Sequence, residues 1–323
     1  MRQALKSTAQ ELFHRAGGLG LVRRKNRHAA RILMYHRFRD AAPLEAQCVH
    51  LCQHYAPIAL RELSEHLESG QAFPSNSVAI TVDDGYRDFL DVAFPIFSRH
   101  RIPVTVFLVT DFLDGKAWLW PDVVKYAFER TALNNVQMEL PNGRRFFFSL
   151  ASPESRSRAA RSTCEEAKNL VNPDRVWFVD RICKELEVVL PPKAPENDRP
   201  LGWDEVRSLA RSGMEIGAHT KTHPILSRIS DRRGLGDEIA GSKLRIEEEL
   251  NQPVLHFCYP NGRSDDINED VVAAVREASF RTAVTTESGL NSQRSDALRL
   301  RRIGVEPDYP DLFFHQCAAG FRV

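Results

Sequence analysis

The sequence predicts an α/β fold built around a parallel sheet. Short apolar segments alternate with helical segments along most of the chain, which is the pattern of strand–helix–strand units. Several apolar segments end abruptly on polar residues, as buried strands do. The chain has 323 residues. This exceeds a typical domain of roughly 100–200 residues, so one barrel-like domain with insertions or two smaller domains would both fit.

The predicted elements follow one another in regular order. Strands are expected at residues 31–36, 78–82, 103–109, 214–219, 254–259 and 282–285, and a last segment at 298–303 precedes a short tail. Helices are expected at residues 45–69, from just after Gly85 to about His100, and at 203–212, 231–251 and 267–278. Strands joined by helices in this way run parallel to one another.

The segment 115–199 breaks the alternation. Asn142-Gly143 lies between two β-prone segments, Val136–Leu140 and Arg145–Phe148, which is a strong hairpin signal. Charged helical segments and a proline-rich stretch follow. We therefore predict a main domain over residues 30–323, with an insertion at 115–199 that covers or flanks the functional site.

Residues 1–29 are expected to form a basic, helical N-terminal leader. Leu5, Leu12 and Phe13 could share one helix face, and a cluster of Arg and Lys follows at 23–27. Two interpretations remain open. The leader is either a solvated helix that packs on the main domain or a peripheral contact with a membrane surface.

The composition indicates an ordinary globular protein, with 42% hydrophobic and 27% charged residues. A net charge of +1 is too small for a nucleic-acid binder that relies on overall basicity. No stretch reaches the 18 or so apolar residues of a membrane span, and the N-terminus lacks the apolar core of a secretory signal. We expect a cytoplasmic protein, either free or peripheral at the inner face of the membrane. No sequence feature indicates an oligomeric state.

The first candidate site motif is Thr81-Val-Asp-Asp-Gly85, at the end of an apolar strand. The carboxyl ends of parallel strands are where α/β folds place ligands and catalytic groups. Two adjacent acids at this position point in different directions, so one can bind a metal while the other faces a substrate. The alternative is an ordinary Asp-Gly turn with two solvated acids.

The second motif is His219-Thr-Lys-Thr-His-Pro224, which also follows an apolar strand. Histidines at i and i+4 would share one face of a helical turn and could hold one metal ion. Two histidines and one carboxylate leave open positions for water and substrate. The expected cofactor is a divalent metal, Zn²⁺ first, with Co²⁺, Ni²⁺ or Mn²⁺ as alternatives. Two surface histidines with a purely structural role remain the other interpretation.

Two further strand ends add weaker candidates. Phe257-Cys-Tyr-Pro-Asn-Gly262 enters a tight turn whose backbone N–H groups could bind an oxyanion. His36 ends the first core strand and is a candidate general acid. Cys48, His50, Cys52 and His54 form a competing set of metal donors, but a structural zinc site usually draws its ligands from two separate knuckles.

Taken in order, these motifs resemble the polysaccharide deacetylases that carry the NodB homology domain, also called carbohydrate esterase family 4. The matching residues are TVDDG at 81–85, HTKTHP at 219–224 and CYPNG at 258–262, and the resemblance covers roughly residues 31–306. It implies a distorted (β/α) barrel of about seven strands. It also implies hydrolysis of N-acetyl groups on a carbohydrate.

The resemblance implies a role for each matching residue. Asp84, His219 and His223 correspond to the metal ligands, and Asp83 to the general base. Tyr259 corresponds to the residue whose backbone N–H holds the oxyanion. The implied partner is a glycan or glycoconjugate substrate.

The chain departs from the commonest family pattern at its C-terminal end. The Leu-x-His segment that usually supplies the general acid is absent, and the sequence there is LRLRRIGV. The early MYHRF is similar to the branch that deacetylates poly-N-acetylglucosamine, in which the motif order is circularly permuted, so His36 takes over the acid role. The arginine that pairs with the base has no clean match, and Arg302 and Arg263 are the alternatives.

Three functions therefore compete. The first is a metal-dependent deacetylase of an N-acetylhexosamine-containing glycan or polysaccharide precursor. The second is a hydrolase of a non-sugar amide or an acetyl ester on the same scaffold. The third is a non-catalytic member of a polysaccharide-assembly system.

Overall fold

A closed ring of seven parallel strands forms the centre of the protein in a computed structural model, which describes residues 17–321. Strand β1 pairs with β3 on one side and with β10 on the other, and the ring order is β1-β3-β4-β7-β8-β9-β10. The ring strands are β1 (Arg31–Tyr35), β3 (Ser77–Val82), β4 (Val104–Leu108), β7 (Glu215–Ala218), β8 (His256–Cys258), β9 (Thr282–Ser288) and β10 (Leu300–Gly304). The two-residue strand β2 (Ala56–Pro57) pairs with the first two residues of β3, Ser77 and Val78. The predicted α/β barrel is confirmed.

Two sets of side chains alternate along the strands, as the pleat requires. One set, which includes Ile32, Ala79 and Phe107, clusters with Leu60 and Leu63 of a helix. The other set, which includes Leu33, Ile80, Val106 and Leu108, belongs to the larger core. Strands buried on both faces explain why these segments read as continuous apolar runs in the sequence.

Helices connect the ring strands and lie around them. They are α1 (Gly18–Lys25), α2 (Ala41–His54), α3 (Leu60–Ser69), α4 (Phe94–Arg99), α5 (Thr110–Leu113), α6 (Trp120–Arg130), α7 (Pro153–Ala167), α8 (Asn172–Glu185), α9 (Trp203–Arg211), α10 (Arg232–Leu250), α11 (Glu269–Glu277) and α12 (Asp311–Ala319). A π-helical turn at Phe89–Ala93 leads into α4.

The structure corrects two predictions of helices. The single helix expected at 45–69 is two helices, because the chain becomes extended at Tyr55 and adds β2 to the sheet before α3 begins. Pro57 cannot donate the backbone hydrogen bond that a continuing helix needs. The short tail expected after residue 303 contains the helix α12, which packs against α1 and α2.

The segment 115–199 has a hydrophobic cluster of its own. Helices α6, α7 and α8 surround the antiparallel hairpin of β5 (Asn135–Glu139) and β6 (Arg145–Ser149), whose turn contains Gly143 at φ +82°. Phe128, Phe178 and Ile182 are buried in this cluster. The predicted hairpin is confirmed, and the insertion at 115–199 stays a prediction.

Only part of the N-terminal leader falls within the described residues. Leu5, Leu12 and Phe13 lie outside them. Helix α1 begins directly after Gly17, and Asn26 at its end donates a side-chain hydrogen bond to the carbonyl of Ala319 (3.1 Å). Within residues 17–321, no helix is long and apolar enough to cross a membrane.

We expect Arg31→Met to lower the free energy of unfolding by roughly 2–4 kcal/mol. The fully buried Arg31 side chain donates to the carbonyls of Ala318 (2.7 Å), Ala29 (3.1 Å) and Asn26 (3.3 Å), so methionine would leave buried acceptors without donors. Urea denaturation would measure the loss. The matched control is Arg301→Met at an exposed position of β10, and an equal effect in both variants would contradict the assignment.

Candidate active site

Asp83 and Asp84 leave strand β3 in different directions because the backbone turns sharply after the strand. The N–H of Asp83 still donates to the carbonyl of Tyr35 (3.0 Å), whereas Asp84 and Gly85 have φ of +76° and +81°. A Cβ at Gly85 would lie 2.8 Å from Cδ2 of Leu108, so only glycine fits this turn without strain. Both carboxylates are buried, with Asp83 only 1% exposed.

His219 and His223 converge through an irregular loop, not through the helical turn that the spacing suggested. His219 continues the β7 ladder by donating its N–H to the Leu108 carbonyl (2.9 Å). Thr220 and His223 then take left-handed backbone conformations, with φ of +69° and +58°, which brings the two imidazole centroids to 4.9 Å. The prediction of a shared helix face was wrong, although the two side chains do meet.

A carboxylate from helix α10 holds this loop in place. Glu238 accepts hydrogen bonds from the backbone N–H groups of Lys221 (2.9 Å) and Thr222 (3.0 Å) and from the Thr222 hydroxyl (2.6 Å). A loop with two left-handed residues is strained, and these bonds offset part of that cost. Glu238 is a supporting residue that the sequence motif alone did not reveal.

Asp84, His219 and His223 together form a donor set suited to a divalent metal. Oδ1 of Asp84 lies 3.5 Å from Nε2 of His219 and 3.6 Å from Nε2 of His223. The Nδ1–H of His219 donates to the Cys258 carbonyl (2.7 Å), which leaves Nε2 directed at the shared space. Two imidazoles and one carboxylate fit a catalytic metal with open positions.

Two of these three groups already have the protonation state that a metal ligand needs. Burial and the neighbouring His219 lower the pKa of His223 to about 3, so this imidazole is neutral. Burial would raise the pKa of Asp84, but His219, His223 and His36 hold it well below its ordinary value. Burial lowers the pKa of His219, whereas Cys258 and Asp84 raise it by more. A metal would therefore displace a proton from His219.

Asp83 is held by Arg302 in a buried, two-pronged ion pair. The guanidinium Nη1 and Nη2 lie 2.7 Å from Oδ1 and Oδ2 of Asp83, and Nε donates to the carbonyl of Thr285 (2.7 Å). Burial would raise the pKa of Asp83, but the charge of Arg302 more than offsets it and keeps the carboxyl ionised. Of the two arginines that the sequence left open, the structure places Arg302 against Asp83.

Cys258 and His36 complete the surroundings of Asp83. The Cys258 thiol lies 3.4 Å from Oδ2 of Asp83 and is fully buried. Nε2 of His36, at the end of β1, lies 3.7 Å from the same oxygen, and 39% of the His36 side chain is exposed. The candidate acid and the candidate base therefore face the same space.

The backbone of Tyr259 does not match the role that the resemblance implied. Its N–H donates to the Val284 carbonyl (3.2 Å), so this proton is used in the strand ladder. The hydroxyl of Tyr259 likewise donates to the carbonyl of Leu298 (2.9 Å). Within residues 17–321 the N–H of Asn261, two residues further on, has no hydrogen-bond partner. Asn261 is therefore the better candidate for an oxyanion donor in this turn.

One cavity of about 490 Å³ lies at the carboxyl end of the barrel. Its lining includes the predicted site residues His36, Asp83, Asp84, His219, His223 and Tyr259. The segment 115–199 forms part of its wall through Trp120, Cys164 and Lys168. The indole N–H of Trp120 donates to the carbonyl of His223 (3.2 Å), which ties this segment to the histidine loop.

The competing cysteine and histidine cluster of helix α2 does not form such a site. Cys48 is buried, whereas Cys52 on the next turn is exposed. In the part of the chain that the structure describes, the groups of donors close enough to bind a metal lie only around Asp83 and Asp84.

Comparison with known proteins identifies the family. The sequence model described as "Polysaccharide deacetylase" matches residues 70–137 and 175–283, which is more than half of the chain. The chain therefore belongs to the polysaccharide deacetylase family, as its motifs predicted. The residues between the two matched parts, 138–174, lie within the segment 115–199.

A curated relative agrees with this assignment. The protein named "Putative polysaccharide deacetylase YxkH" from Bacillus subtilis is 28% identical over 104 residues, which are 32% of this chain. The match spans about a third of that relative, 36% of its length.

Three solved structures share the fold. IcaB from Ammonifex degensii has a TM-score of 0.59 at 16% identity, over 92% of this chain and 98% of that one. PplD from Streptococcus pyogenes, solved in complex with acetate, has a TM-score of 0.57 at 17% identity, over 87% and 94%. The BpsB deacetylase domain from Bordetella bronchiseptica has a TM-score of 0.55 at 15% identity, over 86% and 96%.

We expect His223→Ala to weaken Zn²⁺ binding by more than roughly 100-fold, because the metal would lose one of three protein ligands. Competition with a chromophoric chelator would measure the affinity. His36→Gln is the matched control, since His36 lines the same cavity but lies outside the donor set. Unchanged affinity in His223→Ala, or equal losses in both variants, would contradict the proposed ligand set.

Proposed function

We propose that this protein is a metal-dependent deacetylase that hydrolyses N-acetyl groups of an N-acetylhexosamine in a glycan or polysaccharide precursor. One observation carries the proposal: a buried, ion-paired carboxylate lies beside an Asp-His-His donor set in one cavity. The acetate in the PplD structure is consistent with such chemistry in a protein of the same fold.

Asp84, His219 and His223 would hold the metal, with Zn²⁺ as the first candidate. When bound, a divalent ion of this kind lowers the pKa of a water molecule and polarises a carbonyl oxygen. Proton transfer and oxyanion binding are assigned to side chains and backbone groups of the chain itself.

Asp83 is the proposed general base. Its carboxylate accepts the proton of the attacking water while Arg302 fixes its orientation. The low pKa of Asp83 keeps this carboxyl ionised at neutral pH, so the base is available in every molecule. The remaining hydroxyl adds to the acetyl carbonyl carbon.

His36 is the proposed general acid. The half-exposed imidazole at the cavity wall can exchange protons with solvent and donate one to the sugar nitrogen as the carbon–nitrogen bond breaks. The products are acetate and an amino sugar. We propose the N–H of Asn261 as the backbone donor to the oxyanion, in place of the N–H of Tyr259.

We expect Asp83→Asn to retain its metal and lose roughly 10²–10⁴-fold in acetate release from chitooligosaccharides, because the amide cannot accept the proton of water. Metal content and acetate would be measured on the same preparation. Asp91→Asn, on the exposed face of the helix after Gly85, is the matched control. Acetate release at the original rate by the Asp83→Asn variant would exclude Asp83 as the base.

The unmodified protein tests the substrate class. Bound metal without acetate release from any glycan would favour a non-sugar amide or an ester as the substrate.

Arg302→Met is expected to shift the acid limb of the pH–rate profile to higher pH. Burial raises the pKa of Asp83 and Arg302 lowers it, so removing the cation raises that pKa. The base would then become protonated at a higher pH, and activity would fall there first. The measurement is kcat/KM against pH, with circular dichroism to verify folding. Arg302→Lys keeps a charge and should shift the limb less, so equal profiles for all three proteins would contradict the assignment.

A further inference from the structure

The rim of the catalytic cavity carries cations whose role the deacetylation chemistry does not explain. The acids that line the cavity are Asp83 and Asp84, and both belong to the catalytic centre. The lining cations are Lys168, just after helix α7 of the segment 115–199, and Arg263, in the loop that follows β8. Two separate parts of the chain thus place positive charge at the same opening.

One exposed carboxylate joins these two cations. Glu165 lies 2.7 Å from Nζ of Lys168 and 3.4 Å from Nη1 of Arg263, and 53% of its side chain is exposed. The Arg263 side chain is 60% exposed and that of Lys168 is 21% exposed, and ion pairs that solvent reaches in this way are weak. An entering anion can therefore replace Glu165 at little cost.

A third cation lies behind the cavity wall. Arg175 is 4% exposed, its guanidinium lies 5.1 Å from the ring centroid of Trp120, and its Nε has no hydrogen-bond partner among residues 17–321. In the same range no carboxylate lies within 4.0 Å of it, and Glu238, which acts on its charge, is farther away. Burial lowers the pKa of Arg175 to about 10, which still leaves it charged at neutral pH. A buried cation without a close counter-ion attracts negative charge towards this wall.

We propose that the substrate of this deacetylase is an anionic glycan, and that Lys168 and Arg263 bind a carboxylate or phosphate close to the N-acetyl sugar. The proposal rests on the function proposed above and adds the substrate class. Arginine offers a planar fork and lysine a movable point charge, a combination that suits either anion. The alternative is that Glu165 only clamps the segment 115–199 to the barrel.

Three probes separate the possible substrates. Chitotetraose is neutral, a tetrasaccharide of alternating N-acetylglucosamine and glucuronate carries carboxylates, and N-acetylglucosamine 1-phosphate carries a phosphate. We expect kcat/KM for at least one anionic probe to exceed that for chitotetraose by about tenfold or more, chiefly through a lower KM, because hydrogen bonds between charged groups are stronger than those between neutral groups. Which anionic probe is preferred identifies the source of the charge.

Charge variants test the two named residues. Lys168→Gln and Arg263→Gln should each raise KM for the preferred anionic probe by about tenfold, and should change KM for chitotetraose much less, so that the preference for the anionic probe shrinks. Lys184→Gln, an exposed lysine on helix α8 that lies outside the cavity, is the matched control. Glu165→Gln should lower KM for the anionic probe, because the competing carboxylate is removed. A Glu165 that serves only as a clamp would give the opposite result, with loss of thermal stability and no gain in affinity.

A binding measurement separates this proposal from the proposed function. Calorimetric titration of Zn²⁺-loaded Asp83→Asn with each probe needs no turnover. Two results together would exclude the anionic substrate: kcat/KM for chitotetraose at least as high as for both anionic probes, and no change of KM in the charge variants. The deacetylase function would then stand. If no probe yields acetate but an anionic probe binds tighter through Lys168 and Arg263, the deacetylase function fails and the anion site stands. Equal binding of all probes would overturn the anion site.

Discussion

The buried ion pair between Arg302 and Asp83 is the interaction around which the site is built. Asp83 directly follows β3 and Arg302 lies on β10, and these strands are separated in the ring by β1. The pair therefore crosses the barrel interior, and it forms only when the last strand closes the ring. Breaking a buried pair by removing one partner typically costs roughly 3–5 kcal/mol, because the other charge is left unpaired. One contact thus joins the last strand of the barrel to the candidate base and keeps that base ionised.

Much of the fold could be predicted because its physical causes are local. Strands buried on both faces appear as continuous apolar runs, and Asn-Gly between two β-prone segments selects a tight hairpin turn. The division between α2 and α3 was missed because the two residues of β2 are too few to produce a period of their own. Helix α12 was missed because its partners, α1 and α2, lie at the opposite end of the sequence.

In the candidate site, too, some residue positions follow from local sequence and others from contacts between distant parts of the chain. Asp83, Asp84, His219 and His223 follow strands whose ends meet at one edge, so their proximity could be expected from topology. The partner of Asp83 could not be chosen by sequence, because Arg302 reaches it only through the register of β10. The backbone conformation of the histidine loop and the bond of the Tyr259 N–H to Val284 are equally set by tertiary contacts. Such details decide which group performs which step, and no short motif contains them.

The separate core of the segment 115–199 has a consequence for how such an enzyme can diversify. The segment keeps its own hydrophobic cluster, and it joins the barrel through Leu119, which lies in the larger core, and through polar contacts such as those of Trp120 and Asp122. The residues that would bind metal and move protons all belong to the barrel. Length and charge can therefore change under selection in the parts of the segment that do not contact the barrel, with little effect on the catalytic residues. Under the proposed function, a chimaera that exchanges only this segment between relatives is expected to change substrate preference and to keep the chemistry.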